Sequence, residues 1–85
     1  MKLAFTPQGW EDYVHWQTAD RKTLKRVNRL IDDTLRDPYD GIGKPEALKH
    51  ALAGVWSRRI TDEHRLVYVP WDDEVIVVQA RYRYG

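Results

Sequence analysis

Between Gly43 and Tyr68 the stretch GKPEALKHALAGVWSRRITDEHRLVY holds the carboxylate of Glu46, two histidines and three arginines, and the C-terminal RYRYG adds Arg81 and Arg83. Guanidinium groups brought together repel one another unless an anion lies between them, and a phosphate matches their forked donors. A carboxylate at the rim of such a cluster could remove the proton of a ribose 2′-hydroxyl while the arginines hold the phosphate and the charge that develops on it. That reaction leaves a cyclic phosphate and needs no metal. Spacing alone favours a plainer arrangement, in which Glu46 pairs with Lys49 or His50 on an exposed helix and the arginines line a solvated sheet edge.

Other chemistries find little support. His15, His50 and His64 lack metal-motif spacing and the chain has no cysteine, so neither a metal nor another cofactor is expected. The absence of cysteine also removes disulfides and thiol nucleophiles and suits a reducing compartment. Ser57 has no nucleophile-elbow context, and Gly41-Ile42-Gly43-Lys44 lacks the spacing and hydroxyl of a phosphate-binding loop. A net charge of +1 does not by itself mark a nucleic-acid binder, but the bases gather at Lys49, Arg58, Arg59, Arg65, Arg81 and Arg83 while the acids fall largely in Glu11-Asp12, Asp32-Asp33 and Asp72-Asp73, which could leave a basic face. Without a signal-like or membrane-spanning apolar run, the expectation is a cytoplasmic protein with no membrane contact.

The elements that must carry these residues fit one domain, residues 1–85. Lys2 to Phe5 reads as a strand, and Thr6-Pro7 as the cap and first residue of a helix with an apolar stripe at Trp10, Tyr13, Val14 and Gln17. Asp20 caps a second helix bearing Leu24, Val27, Ile31 and Leu35, which Asp37-Pro38 ends. After a glycine-rich turn, 45–52 reads as a short helix that puts Glu46, Lys49 and His50 on one face. Three strand-like runs, 55–60, 65–69 and 75–84, have connections short enough for an antiparallel meander. Strand alternation groups Ser57 with Arg59, Arg65 with Val67 and Arg81 with Arg83, so coincident faces would bring four arginines together. The opposite parity, Leu66, Ile76, Val78 and Ala80, would pack beneath the helical hairpin. Trp10 and Trp16 suit a core or an interface. The fold class expected is α+β, two N-terminal helices on a mainly antiparallel sheet.

GKPEALK, SRRI, EHRLVY and the terminal RYRY, in that order and joined by the early W-x-D-Y of Trp10 to Tyr13, resemble the YoeB (Txe/YoeB) family of toxin–antitoxin ribonucleases in the RelE superfamily. The resemblance spans essentially the whole chain. It implies a fold related to microbial ribonucleases and an endonuclease that cuts mRNA on translating ribosomes. It further implies a YefM-like antitoxin as partner, a homodimer, and contact with operator DNA only through the antitoxin complex. Carried onto matching positions, Glu46 resembles the general base and Arg65 the phosphate-stabilising arginine, with Lys49, Arg59 and Tyr84 as supporting RNA-binding residues. Arg81 joins that RNA-binding set through its shared parity with Arg83.

One position departs from the family pattern. The usual ending, Arg-Tyr-His-Tyr, carries a histidine general acid, and here that place is Arg83. Arginine stays protonated at physiological pH and cannot donate and regain a proton in the ordinary way, but it can stabilise negative charge on the leaving oxygen. The catalytic set implied is therefore Glu46, Arg65 and Arg83.

Overall fold

The computed structural model describes residues 1–49 and 53–83. Among them run β1 (Lys2–Phe5), α1 (Pro7–Ala19), α2 (Arg21–Arg36), β2 (Glu46–Ala47), β3 (Trp56–Arg59), β4 (Arg65–Trp71) and β5 (Glu74–Gln79). The sheet order is β1-β5-β4-β3-β2; β2 to β5 pair antiparallel, as the meander requires, and β1 pairs parallel with β5. Both helices cover one face, where Trp16, Val27, Leu30 and Ile31 meet Leu66, Tyr68, Val75, Val77 and Ala80. The other face is left for chemistry.

Helix α1 starts where expected, with the Thr6 hydroxyl accepting the Gly9 N–H at 3.0 Å and Pro7 in the first turn. The same hydroxyl donates to the Val78 carbonyl at 3.1 Å, so the cap also fastens the helix to β5. The approach is close enough that a Cβ on Gly9 would stand 2.2 Å from the Val77 carbonyl oxygen, which only glycine avoids. This seating corrects the expected stripe: Gly9, Asp12 and Trp16 are buried, whereas Trp10 and Val14 turn outward, 52% and 37% exposed.

Helix α2 follows its sequence pattern. Asp20 accepts the Thr23 hydroxyl at 2.8 Å, the Thr23 N–H at 3.4 Å and the Lys22 N–H at 3.0 Å, and these bonds, those from Thr23 foremost, hold its carboxyl below the usual carboxylate range. Val27, Leu30 and Ile31 are buried, Leu24 and Leu35 pack beside them, and the helix stops at Arg36 before Asp37-Pro38.

Arg58 does not join the basic face. It is fully buried, donating to Asp33 Oδ2 at 2.7 Å, to the carbonyls of Ile42 at 3.1 Å, Asp37 at 2.6 Å and Asp40 at 3.1 Å, and to the Tyr68 hydroxyl at 3.2 Å. The Tyr68 hydroxyl in turn donates a hydrogen bond to the Pro38 carbonyl at 2.7 Å. Residues 37–42 are thereby wrapped around one guanidinium. A buried charge is tolerated only when paired and fully hydrogen-bonded, and this one is both. Asp33 is held below the usual carboxylate range, first by the Ile42 N–H and then by Arg58, while burial pushes the Tyr68 phenol up.

Two expectations fail for identifiable reasons. Residues 45–49 form no helix: Glu46 and Ala47 make the edge strand β2, flanked by the Arg59 N–H to Gly43 carbonyl bond at 2.7 Å and the Leu48 N–H to Val55 carbonyl bond at 2.9 Å. Ladder bonds outweigh the propensity of a segment too short to sustain a helix alone; the rest of the expected helix, 50–52, lies outside the described residues. In β5 the core-facing residues are Val75 and Val77 rather than Ile76 and Val78. The ladder steps from Val67↔Gln79 to Tyr68↔Val77, so Val78 is an extra residue, a bulge that reverses the alternation and returns Ala80 to the core.

Arg58→Met should lower unfolding stability by about 3–5 kcal/mol, because it strands a buried carboxylate and several carbonyls; urea denaturation at neutral pH measures this. Asp33 adds a pH dependence of definite sign. Its lowered carboxyl contributes stability that is present above the ordinary aspartate value of about 3.9 and is lost as pH falls through the folded value. Asp33→Asn should therefore cost stability at pH 7 and flatten the acid limb below about pH 4, seen as converging urea midpoints for the two proteins.

Candidate functional site

A row of directly opposed residues crosses the sheet, Glu46↔Ser57↔Val67↔Gln79, with Arg59↔Arg65 as the adjacent pair. Opposed residues share a face, and this face is the one turned away from Leu66 and Tyr68, hence away from the helices. It was the strand parity of Ser57, Arg59, Arg65 and Val67 that pointed here, and that part of the sequence reading holds.

Glu46 and Arg65 are brought into contact. Arg65 donates from Nη2 to Glu46 Oε1 at 2.7 Å and from Nε to Ser57 Oγ at 2.9 Å. Ser57 is completely buried, so it acts as a fixed peg that sets the plane of the guanidinium. Among the described residues Nη1 has no protein acceptor, which leaves that edge of the fork for an external anion. The Glu46 side chain is 60% exposed and that of Arg65 19%, so the carboxylate lies on the open surface while the guanidinium is largely covered. Such an ion pair contributes little to stability. Its interest is chemical: a carboxylate that can accept a proton stands beside a guanidinium that can hold a phosphate.

The other sequence-derived candidates are more dispersed. Arg59 is exposed and stands opposite Arg65, like charge facing like charge, an arrangement that an anion between them would relieve. Lys49 is exposed in the turn after β2. Arg81 and Arg83 do not share a strand face as expected, because β5 ends at Gln79 and Tyr82 adopts φ +62°, which breaks the two-residue alternation. The Arg81 guanidinium instead lies over the Tyr82 ring, 4.6 Å from its centre. Arg83 donates to the Asp62 carbonyl at 2.8 Å, which brings the tail against the β3–β4 turn. Tyr84 lies outside the described residues. The convergence of four arginines thus reduces to an opposed pair, Arg59 and Arg65, with Arg83 tethered at the end of the same strands.

Sequence reasoning missed the groups that fix this tail. The Gln79 side chain donates to the Arg81 carbonyl at 2.7 Å, the Arg65 N–H to the Tyr82 carbonyl at 3.0 Å, and the Tyr82 N–H to His64 Nδ1 at 2.8 Å. At the far end of β5, Asp12 Oδ2 accepts the Ala80 N–H at 3.0 Å, and Trp16 Nε1 donates to the Ala80 carbonyl at 2.7 Å. Two α1 side chains thus replace the neighbouring strand and turn the chain out of the sheet. Only the i, i+4 spacing of Asp12 and Trp16 could have hinted at that. Among the described residues no group of three or more His, Asp or Glu side chains is arranged to hold a metal ion.

Residues 5–84 match the family model described as the YoeB-like toxin of bacterial type II toxin–antitoxin systems. Toxin YoeB of Streptomyces coelicolor is 63% identical over 84 residues, 99% of this chain and 100% of that protein. The solved YoeB dimer of Staphylococcus aureus superposes with a TM-score of 0.91 at 42% identity, covering 99% of this chain and 98% of that one. A heterotetrameric YoeB–YefM toxin–antitoxin complex from the same organism has a TM-score of 0.88, again at 42% identity and the same coverage. With the family match spanning nearly every residue and the two-helix, five-strand architecture shared throughout, the chain belongs to the YoeB-like toxins of bacterial type II toxin–antitoxin systems.

Proposed function

We propose that this toxin is an mRNA endoribonuclease acting on translating ribosomes, and the observation that carries the reading is the Glu46–Arg65–Ser57 constellation on the open sheet face. Glu46 takes the proton of a ribose 2′-hydroxyl, and the 2′-oxygen attacks the adjacent phosphorus. The bond from phosphorus to the 5′-oxygen breaks, leaving a 2′,3′-cyclic phosphate that water can open to a 3′-phosphate. Arg65, its plane set by Ser57, gives up Glu46 for the phosphate and stabilises the charge on its equatorial oxygens. Arg59, Lys49, Arg81 and Tyr84 hold the RNA backbone. Arg83 offsets the charge on the departing 5′-oxygen, which takes its proton from water because a guanidinium does not release one at neutral pH.

The openness of the site supports ribosome dependence. A carboxylate as exposed as that of Glu46 neither excludes water nor orients a flexible single strand, and orientation alone is worth several orders of magnitude in rate. The ribosome supplies what this small surface lacks, an mRNA held in one conformation. The YoeB dimer and YoeB–YefM complex among its relatives support a homodimer and a YefM-like antitoxin as protein partners here. Operator DNA is reached only through that antitoxin complex, as the family resemblance implies. The site of action is cytoplasmic. A second reading, a toxin that blocks translation without cutting, draws on Arg83: it occupies the general-acid position of the family pattern and its guanidinium is engaged by the Asp62 carbonyl.

On programmed ribosomes Glu46→Gln should slow single-turnover cleavage by about 10²- to 10⁴-fold while leaving ribosome binding intact; a rate within a few-fold of wild type would remove Glu46 as the base. Arg83→His should accelerate the same step by at least about tenfold and introduce a falling limb at high pH, as expected when a titrating acid replaces a permanent cation. Unchanged rates would mean that positioning on the ribosome, not proton transfer, limits turnover. Stalled translation with intact mRNA would select the blocking reading.

A further inference from the structure

His64 takes no part in the chemistry above, yet it makes the contact on which the placement of Arg83 depends. Its Nδ1 accepts the Tyr82 N–H at 2.8 Å, and the following residue, Arg65, donates its own N–H to the Tyr82 carbonyl at 3.0 Å. Consecutive residues therefore grip both backbone groups of Tyr82. The grip holds a costly conformation, φ +62° at a residue with a bulky ring, and such strain persists only where the surroundings over-determine it. Arg83, the next residue, is aimed by this turn at the Asp62 carbonyl.

His64 is itself well fixed. Its N–H donates to the Thr61 hydroxyl at 3.2 Å and its carbonyl accepts the Ile60 N–H at 2.9 Å. The ring packs edge-on against Trp16 at 4.9 Å and tilted against Tyr82 at 5.6 Å. The charged groups around it are Asp20 from the junction of the helices, Asp62 and Glu63 from the turn, and Arg83 from the tail; Thr23 of α2, Thr61 and Trp16 complete the surroundings. A ring nitrogen that accepts a hydrogen bond carries no proton, so the contact exists only for neutral imidazole with its proton on Nε2. Once Nδ1 is protonated, two donors face each other and the grip on the Tyr82 N–H is gone.

We propose that His64 is a positioning residue and a proton-sensitive latch, whose neutral ring holds the Tyr82 turn that presents Arg83 to the scissile phosphate and whose protonation lets the tail go. The consequence for cleavage rests on the nuclease reading; the latch rests on its own contacts. Acidification across the range in which histidines change charge therefore weakens the toxin by moving Arg83, while the side-chain pair of Glu46 and Arg65 stays in place.

The test follows hydrogen exchange at the Tyr82 amide and mRNA cleavage on programmed ribosomes from about pH 5.5 to 8, in wild type, His64→Asn and His64→Phe. Asparagine offers a non-titrating acceptor near the place of Nδ1, and phenylalanine keeps a packed ring without one. In wild type, Tyr82 protection and cleavage should fall together by at least about fivefold between pH 7.5 and 5.5. His64→Asn should hold Tyr82 protection constant across this range and remove the part of the cleavage fall that tracks it, since Glu46 and every other titrating group act alike in both proteins and cancel in the comparison. His64→Phe should expose the Tyr82 amide and cut at least about tenfold more slowly at all pH values, with Tm within a few degrees of wild type. A Tyr82 amide equally protected in His64→Phe and wild type overturns the proposal, as does an acid decline in His64→Asn as large as that of wild type. If wild type cuts nothing while Tyr82 protection still tracks His64, the latch stands and the nuclease reading falls.

Discussion

The buried guanidinium of Arg58 is the constraint on which the other arrangements depend. Nine residues separate the end of α2 from β2, too many to fold themselves and too polar to bury unaided. Arg58 solves this by offering donors to three of their carbonyls while Asp33 neutralises its charge. The fit is tight. A Cβ on Gly41 would overlap Asp33 Oδ2 at 1.9 Å, and Gly41 holds φ +129°, so side chains are excluded there on two grounds. Because Arg58 belongs to β3 and its neighbour Arg59 takes the Gly43 carbonyl, the loop is delivered to the sheet in one register, and that register sets Glu46 opposite Ser57. The position of the carboxylate is thus decided by a charge buried on the other face of the same strand. Exchanging such a pair for apolar groups could cost little stability; what the pair supplies here is the path of the loop.

The far end of the sheet is closed by a different device. The bulge at Val78 reverses the alternation of β5, and Asp12 and Trp16 of α1 take both backbone groups of Ala80 in place of a further strand. The chain is turned outward and caught again by Gln79, His64 and Arg65. Arg65 therefore serves twice, its backbone holding the tail and its side chain meeting Glu46. Residues far apart in sequence, Glu46 in an edge strand, Arg65 at the start of a central one and Arg83 in the tail, come to one region because β3 and β4 link them. The geometry needs no deep cleft, which suits the proposed cleavage on the ribosome, where the substrate would arrive already held.

Much of this was legible in the residues. Caps announced themselves at Thr6 and Asp20, Asp37-Pro38 marked the end of α2, and short connections implied the meander. The α+β class and the family followed. Parity on β3 and β4 predicted that Ser57, Arg59 and Arg65 would share a face. What was not legible has a common cause, the dependence of local structure on partners distant in the chain. The segment after Pro45 has helical composition and becomes a strand because β3 offers it a ladder. Arg58 and Arg59 are adjacent and chemically identical, yet one is wholly buried and the other exposed, because alternation turns them to opposite faces and only one finds Asp33. A bulge has no reliable sequence signature, so the faces of Ile76 and Val78 were misassigned, and nothing in RYRY signals a left-handed tyrosine.

The central claim is that Glu46 and Arg65 cut RNA through the 2′-hydroxyl, and the chemistry of the new ends tests it most directly. End-labelled mRNA would be incubated with the toxin on programmed ribosomes and the termini of the fragments identified. A 2′,3′-cyclic phosphate, or the 3′-phosphate it opens to, opposite a 5′-hydroxyl is the predicted result, and a 2′-deoxy substitution at the cleaved nucleotide should abolish the cut. Fragments bearing 5′-phosphate and 3′-hydroxyl ends, or cleavage that survives removal of the 2′-hydroxyl, would contradict the account.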